Sequence, residues 1–182
     1  DGEWAVVRMG DMFRSLRDFQ FPVRYSGNLN FGYGYPLFNF AYPGPYYLGI
    51  ILHFLKVGFV DSVKIIFVLS VILSAISMYL FSNEIWKNKL AGLISSIFYI
   101  YLPYRIVDLY ARGSIGESVS FALFPFILLF ISKFIDSKHK TGYLGMAAIC
   151  YALLILSHNI MAVLFTPVIL LFITIKFFTQ NK

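Results

Sequence analysis

The sequence predicts an all-α, polytopic membrane helix bundle preceded by a long loop region that carries interfacial helices. Three observations lead there. Apolar residues make up 59% of the chain and charged ones only 13%, with a mean hydropathy of +0.73, whereas soluble domains carry roughly 25% charge. Long apolar runs recur from Val63 onward, and a run approaching about 20 residues is a candidate transmembrane helix. Nearly all the lysines stand at the ends of those runs, as topology signals do. The net charge of +6 is therefore no sign of a basic nucleic-acid-binding face.

Residues 1–61 make the loop region and 62–182 the bundle, with about five spans expected. In the first stretch Met9, Met12, Phe13, Leu16 and Phe19 recur at helical spacing, with Arg8, Asp11, Arg14, Ser15 and Asp18 largely opposite. This reads as an amphipathic helix on the membrane surface, ended by Pro22. Asp1 and Glu3 stand at its start, where the helix dipole stabilises carboxylates without any catalytic role. Residues 25–47 alternate glycine and proline with many aromatics, which predicts an ordered loop. Its rings form either an interfacial belt or a platform for a sugar or lipid headgroup. Tyr46 to Phe59 reaches Lys56 after about half a span, so an interfacial or re-entrant helix is expected.

Val63 to Phe81 is long enough to cross, and a polar patch with Glu84, Lys87 and Lys89 follows. Leu90 to Leu102 is a short span, Ser118 to Ile135 a full one, and Tyr143 to Leu156 another short one whose small residues suit close helix contact. Met161 to Phe178 crosses back, with Pro167 tolerated inside a bundle. Cys150 is the single cysteine; it has no disulfide partner and reads as packing. The chain starts at Asp1 without a leader-like segment and stops just after an apolar run, so a helix before it and further helices after it are expected.

If Val63 to Phe81 runs inward, the patches 82–89, 133–142 and 176–182, with seven lysines, face the cytoplasm. All six arginines then fall on the outer side, and arginine is the bidentate reader of phosphate and carboxylate. The stretch PYRIVDLYARGSIGE, Pro103 to Glu117, is expected there as a loop, with Arg105, Asp108, Arg112 and Glu117 between apolar runs. Ionisable groups beside hydrocarbon are costly and point to function. Each also has a structural explanation: Asp108 and Arg112 pair at i, i+4, Glu117 caps the next helix, and His158 is an interfacial residue.

The acidic DGE opening, then FPVRYSGNLNFGYGYPLFNFAYPGPYYLG, PYRIVDLYARGSIGE and LSHN, resemble a bacterial and archaeal family of membrane proteins related to 6-pyruvoyl-tetrahydropterin synthase. In architecture that family resembles the GT-C superfamily of membrane glycosyltransferases. The pterin chemistry in the name belongs to a soluble zinc enzyme with clustered histidines, whereas His53, His139 and His158 are scattered here. The resemblance implies a plasma-membrane enzyme with an extracytoplasmic active face, moving a sugar from a polyprenyl-phosphate donor. It implies a catalytic base at an early carboxylate, matching Asp1 or Glu3.

Such a transfer needs a base, cations for the departing phosphate, and shelter from water. On that footing Arg105 and Arg112 would hold the lipid phosphate, with His158 as a further contact. Glu117 and Asp108 would hold acceptor hydroxyls or a divalent cation, and Tyr33, Tyr35 and Tyr42 would shape the sugar site. Membrane lipid and the sugar donor are the expected partners, and no nucleic acid is. The competing readings are a transporter for a lipid-linked glycan or polymer, and a non-catalytic membrane subunit. No charge is expected deep in a span, which counts against an ion-coupled transporter.

Overall fold

The computed structural model describes residues 2–136 and 140–180. Its helices are α1 (Gly2–Arg17), α2 (Leu37–Phe40), α3 (Gly44–Phe54), α4 (Phe59–Trp86), α5 (Lys89–Ile100), α6 (Pro103–Val107), a π-helical turn (Asp108–Arg112), α7 (Ile115–Asp136), α8 (Lys140–Ser157) and α9 (Asn159–Gln180). Extended pairing among the described residues is limited to one bridge between Ser26 and Tyr35. The chain is all-helical, as its composition predicts.

Helices α4, α7 and α9 are long and apolar enough to cross a membrane. α5 and the following segment together make a fourth candidate, bent by 44° at the break. α8 is apolar but shorter, so the five expected runs are all helical while three meet the length for a span alone. Along α4 the serines 62, 70, 74 and 77 are buried. Their small side chains let neighbouring helices approach, and Ser70, Ser74 and Ser77 hydroxyls donate to carbonyls of their own helix at 2.7, 2.6 and 3.1 Å. α7 packs between α4 and α8. Asn88 starts α5 by accepting from the Leu90 and Ala91 amides at 2.8 and 3.4 Å.

The helices alternate in direction. At the end we call lower, Lys176 of α9 pairs with Asp136 of α7, and the Phe81 and Phe172 rings of α4 and α9 meet at 5.8 Å. At the upper end Glu117 of α7 stands beside His158, between α8 and α9. Lys87, Lys89, Lys133 and Lys176 all lie toward the lower end, as one-sided lysine loops require. Across the upper end, Met9 and Met12 of α1 pack on Tyr46 and Ile50 of α3, Val63 and Ile66 of α4 and Ile115 of α7. A second cluster of Ile127, Leu154, Ala162 and Ile169 ties α7, α8 and α9 together.

Four expectations need correction. Residues 103–117 are not a surface loop. α5 has 12 residues, about 18 Å at ~1.5 Å per residue, and stops part-way along α4. The chain breaks before Pro103, which cannot continue the α5 ladder, then resumes as α6 and the π turn beside α4. Arg105 Nη2 donates to the Ser70 carbonyl at 3.3 Å, and Ser70 stands about 17 Å along α4 from Phe59. Arg105 is only 3% exposed, so a charge does lie inside the bundle. α1 ends at Arg17 rather than at Pro22, and Phe19, at φ 61°, lies beyond the helix and is exposed. Asp11, assigned to the polar face, is buried, and its Oδ1 accepts from Asn28 Nδ2 at 2.7 Å.

Candidate functional site

The upper cluster is built where the π turn meets the first turn of α7. The turn closes with Gly113, whose amide donates to the Asp108 carbonyl at 2.7 Å and whose φ of 61° suits a residue without Cβ. An inserted π turn re-aims side chains and is frequent at functional sites. Here it brings Arg112 back onto Glu117. Arg112 Nη2 donates to Glu117 Oε1 at 2.6 Å and Nη1 to Glu117 Oε2 at 3.0 Å, a two-pronged, charge-assisted pair. Tyr104 donates to Glu117 Oε2 at 2.7 Å and accepts from Arg112 Nη1 at 2.9 Å. Asp108 lies beneath, fully buried, with Oδ1 3.6 Å from Arg112 Nη1 and Oδ2 accepting from Ser118 at 3.4 Å.

The α8–α9 junction closes the other side. His158 Nε2 is 3.9 Å from Glu117 Oε1, and the Tyr42 ring stacks on the imidazole at 4.7 Å. This contact depends on Gly116. A Cβ there would stand 2.5 Å from both the Tyr42 ring and the Ser157 carbonyl. Burial holds His158 below the ordinary histidine pKa; the Glu117 carboxylate opposes that shift, and the Arg112 charge adds to it. His158 is therefore neutral at neutral pH. Burial, reinforced by neighbouring Tyr46, pushes the Tyr42 phenol up to about 12, against the hydrogen bonds from Ser114 and Gly116.

Of the five N–H donors of a guanidinium, Arg112 uses three on Tyr104 and Glu117. The remaining donors belong to a side chain that is 44% exposed and lines a cleft of about 540 Å³. Glu3 and Trp4 of α1 line the same cleft, together with Gly113 and Phe67. Glu3 is exposed and makes no hydrogen bond or ion pair among the described residues. The cleft thus holds in its lining both an unengaged carboxylate and an arginine whose orientation is fixed by its own carboxylate clamp.

The expected site residues divide accordingly. Arg112, Glu117, Asp108, His158 and Tyr42 come together, and Glu3 lines the same cleft as Arg112. Asp1 lies outside the described residues. Arg105 does not join them. Its guanidinium sits 5.8 and 5.2 Å from the Tyr99 and Phe121 ring centroids, and Nη1 has no hydrogen-bond partner. It lines a separate, largely apolar groove of about 720 Å³ between α4 and the broken helix. Both Glu117 oxygens are taken by Arg112 and Tyr104, so a cation there would have to displace them. Tyr33 projects outward, exposed, while Tyr35 lines a cavity apart from the cluster that holds Tyr42. Tyr104 and Trp4 were missed, because no spacing rule links Tyr104 to Glu117 or α1 to the π turn.

A family model described as "6-pyruvoyl-tetrahydropterin synthase related domain; membrane protein" matches residues 38–182. No curated protein and no solved structure matches the chain. Among the described residues no group of three or more His, Cys, Asp or Glu could hold a metal. His53 stacks on Phe59 at 4.0 Å with Nδ1 2.8 Å from the Val57 carbonyl, apart from His158, and His139 lies outside the described residues.

Proposed function

The chain belongs to the 6-pyruvoyl-tetrahydropterin synthase related membrane family, and we propose that it is an integral membrane glycosyltransferase using a polyprenyl-phosphate sugar. One observation supports this most: the cleft that Glu3 and the clamped Arg112 line together. In the proposed step an acceptor hydroxyl oxygen bonds to the anomeric carbon while the bond from that carbon to the phosphate oxygen breaks. The phosphate keeps the electron pair and the hydroxyl proton passes to the Glu3 carboxylate. The free N–H edge of Arg112 neutralises charge on the departing phosphate. Glu117, Tyr104 and Asp108 hold that arginine charged and oriented, and His158 with Tyr42 walls the cluster from water.

The lower-end lysines argue for a cytoplasmic lower end and hence an extracytoplasmic cleft, in the plasma membrane. A transporter for the same lipid is the second reading. It draws on the broken α5–α6 helix, whose buried Arg105 and Asp108 fit the pattern of polar groups on discontinuous spans.

The test reconstitutes the full-length protein with a labelled polyprenyl-phosphate sugar. Glu3→Gln is expected to abolish transfer while keeping donor binding, and Arg112→Lys to weaken donor binding. Transfer that survives Glu3→Gln removes the base assignment. Donor that crosses the bilayer without any transfer decides for the transporter.

A further inference from the structure

A third space, of about 670 Å³, lies between α1 and the loop that follows it, lined by Trp4, Arg8, Leu29, Asn30, Phe31 and Tyr35. The loop is tightly tied. Ser26 and Tyr35 exchange backbone hydrogen bonds at 2.9 and 3.0 Å, the Gly34 amide donates to the Leu29 carbonyl at 2.8 Å, and the Tyr25 hydroxyl donates to the Tyr33 carbonyl at 2.7 Å. At its tip Asn30, Phe31 and Gly32 follow one another at φ 56°, 58° and 88°. That region disfavours a bulky residue such as phenylalanine, and strained backbone persists where surrounding structure enforces it, often at ligand sites. The result is a Phe31 ring that is 100% exposed, so no packing within the chain accounts for it.

Opposite stand Trp4, 56% exposed, and Arg8, whose Nη1 donates to the core Tyr46 hydroxyl at 3.4 Å. The cavity therefore offers three aromatic rings, a tethered guanidinium and an amide. A pyranose has the same division, with a C–H face that lies on rings and a rim of hydroxyls that pair with polar side chains. Trp4 also lines the Glu3–Arg112 cleft, so the two spaces meet at one side chain.

We propose that this cavity is a saccharide-binding subsite, with the sugar ring held against Trp4, Phe31 and Tyr35 and its hydroxyls on Arg8 and Asn30. Its assignment as the acceptor side of the cleft rests on the glycosyltransferase reading; the binding of a saccharide does not. Trp4 and Phe31 take the place of Tyr33 and Tyr42 in shaping the sugar site, and Tyr35 keeps its part.

The chain has two tryptophans, Trp4 and Trp86, and Trp86 ends α4 at the lower end. In full-length protein carrying Trp86→Phe and any tryptophan outside this chain likewise replaced, Trp4 emission reports the cavity. The probes are the methyl glycosides of glucose, galactose, mannose and N-acetylglucosamine, with the protein in nanodiscs. A saturable shift with at least one of them is expected, weakened at least ten-fold by Phe31→Ala and kept by Phe31→Tyr. No saturable response from any of the four overturns the proposal. So does quenching of Trp4 by tail-brominated phospholipid, which would put these rings in the bilayer. If sugar transfer proceeds with an unchanged acceptor KM in Phe31→Ala, the acceptor assignment falls and the transferase reading stands. Saccharide binding by a wild-type protein that transfers no sugar overturns the transferase reading and leaves the subsite standing.

Discussion

Arg105 and Arg112 stand seven residues apart on one short helical stretch, and the fold treats them in opposite ways. Arg112 is half-exposed, clamped in two prongs by Glu117, bridged by Tyr104 and backed by Asp108. Arg105 is buried under α4, with one carbonyl partner, two aromatic neighbours and an Nη1 left without a hydrogen bond. A buried charge with good partners is destabilising to break, while one with poor partners is readily replaced by an apolar group of similar size. The same residue type is thus held in a carboxylate clamp in one position and a candidate for removal in the other.

The largest test of that contrast is Glu117→Ala, which strands Arg112, Tyr104 and His158 together. Unfolding in detergent is expected to show a loss of about 3–5 kcal/mol; a loss below about 1 kcal/mol would mean the clamp is no stronger than a surface pair. Next comes a matched pair. Arg112→Met leaves two carboxylates uncompensated and should cost about 3 kcal/mol, whereas Arg105→Met should fall within about 1 kcal/mol of wild type. Equal losses would erase the distinction, and a large loss at 105 alone would mean that Nη1 is satisfied in the membrane.

Gly116→Ala tests the wall behind the clamp. The added Cβ would meet the Ser157 carbonyl and the Tyr42 ring, and overpacking of this kind costs about 1–3 kcal/mol. The smallest effect is the pH dependence at His158. Its native pKa is depressed by burial, so as pH falls through about 6.5 the unfolded chain takes up a proton that the folded one refuses. Stability therefore falls with falling pH in that window, and His158→Gln should flatten the slope. An unchanged slope would mean that water already reaches His158 in the folded protein.

Helix content, the apolar runs and the placing of Lys87, Lys89, Lys133 and Lys176 at one end, away from Lys56 and Lys64, could be read directly, because they depend on residues near one another in sequence. The pairing of Arg112 with Glu117 was not legible, only that of Arg112 with Asp108: a five-residue separation matches no helical spacing, and it takes the π turn and Gly113 to bring Arg112 and Glu117 together. The burial of Arg105 was not visible. It needed the break before Pro103, which turns a presumed outer loop into the second half of a bent helix. Asp11 misled for a similar reason, since helical spacing puts it on the polar side of α1 while the loop carrying Asn28 folds over it.

What the sequence alone determined is the membrane solvent and the helices. With 59% apolar residues and few charges, the backbone must satisfy its own hydrogen bonds, and helices do so locally. What only the tertiary structure decided is which ionisable groups meet. Arg112, Glu117 and His158 come from three separate stretches, and their meeting, like the cleft that Glu3 shares with Arg112, is set by how α1, the π turn, α7 and the α8–α9 junction pack at the upper end. Contacts between distant segments follow from close packing, such as that of the Tyr42 ring against the bare Cα of Gly116, and no local period encodes them.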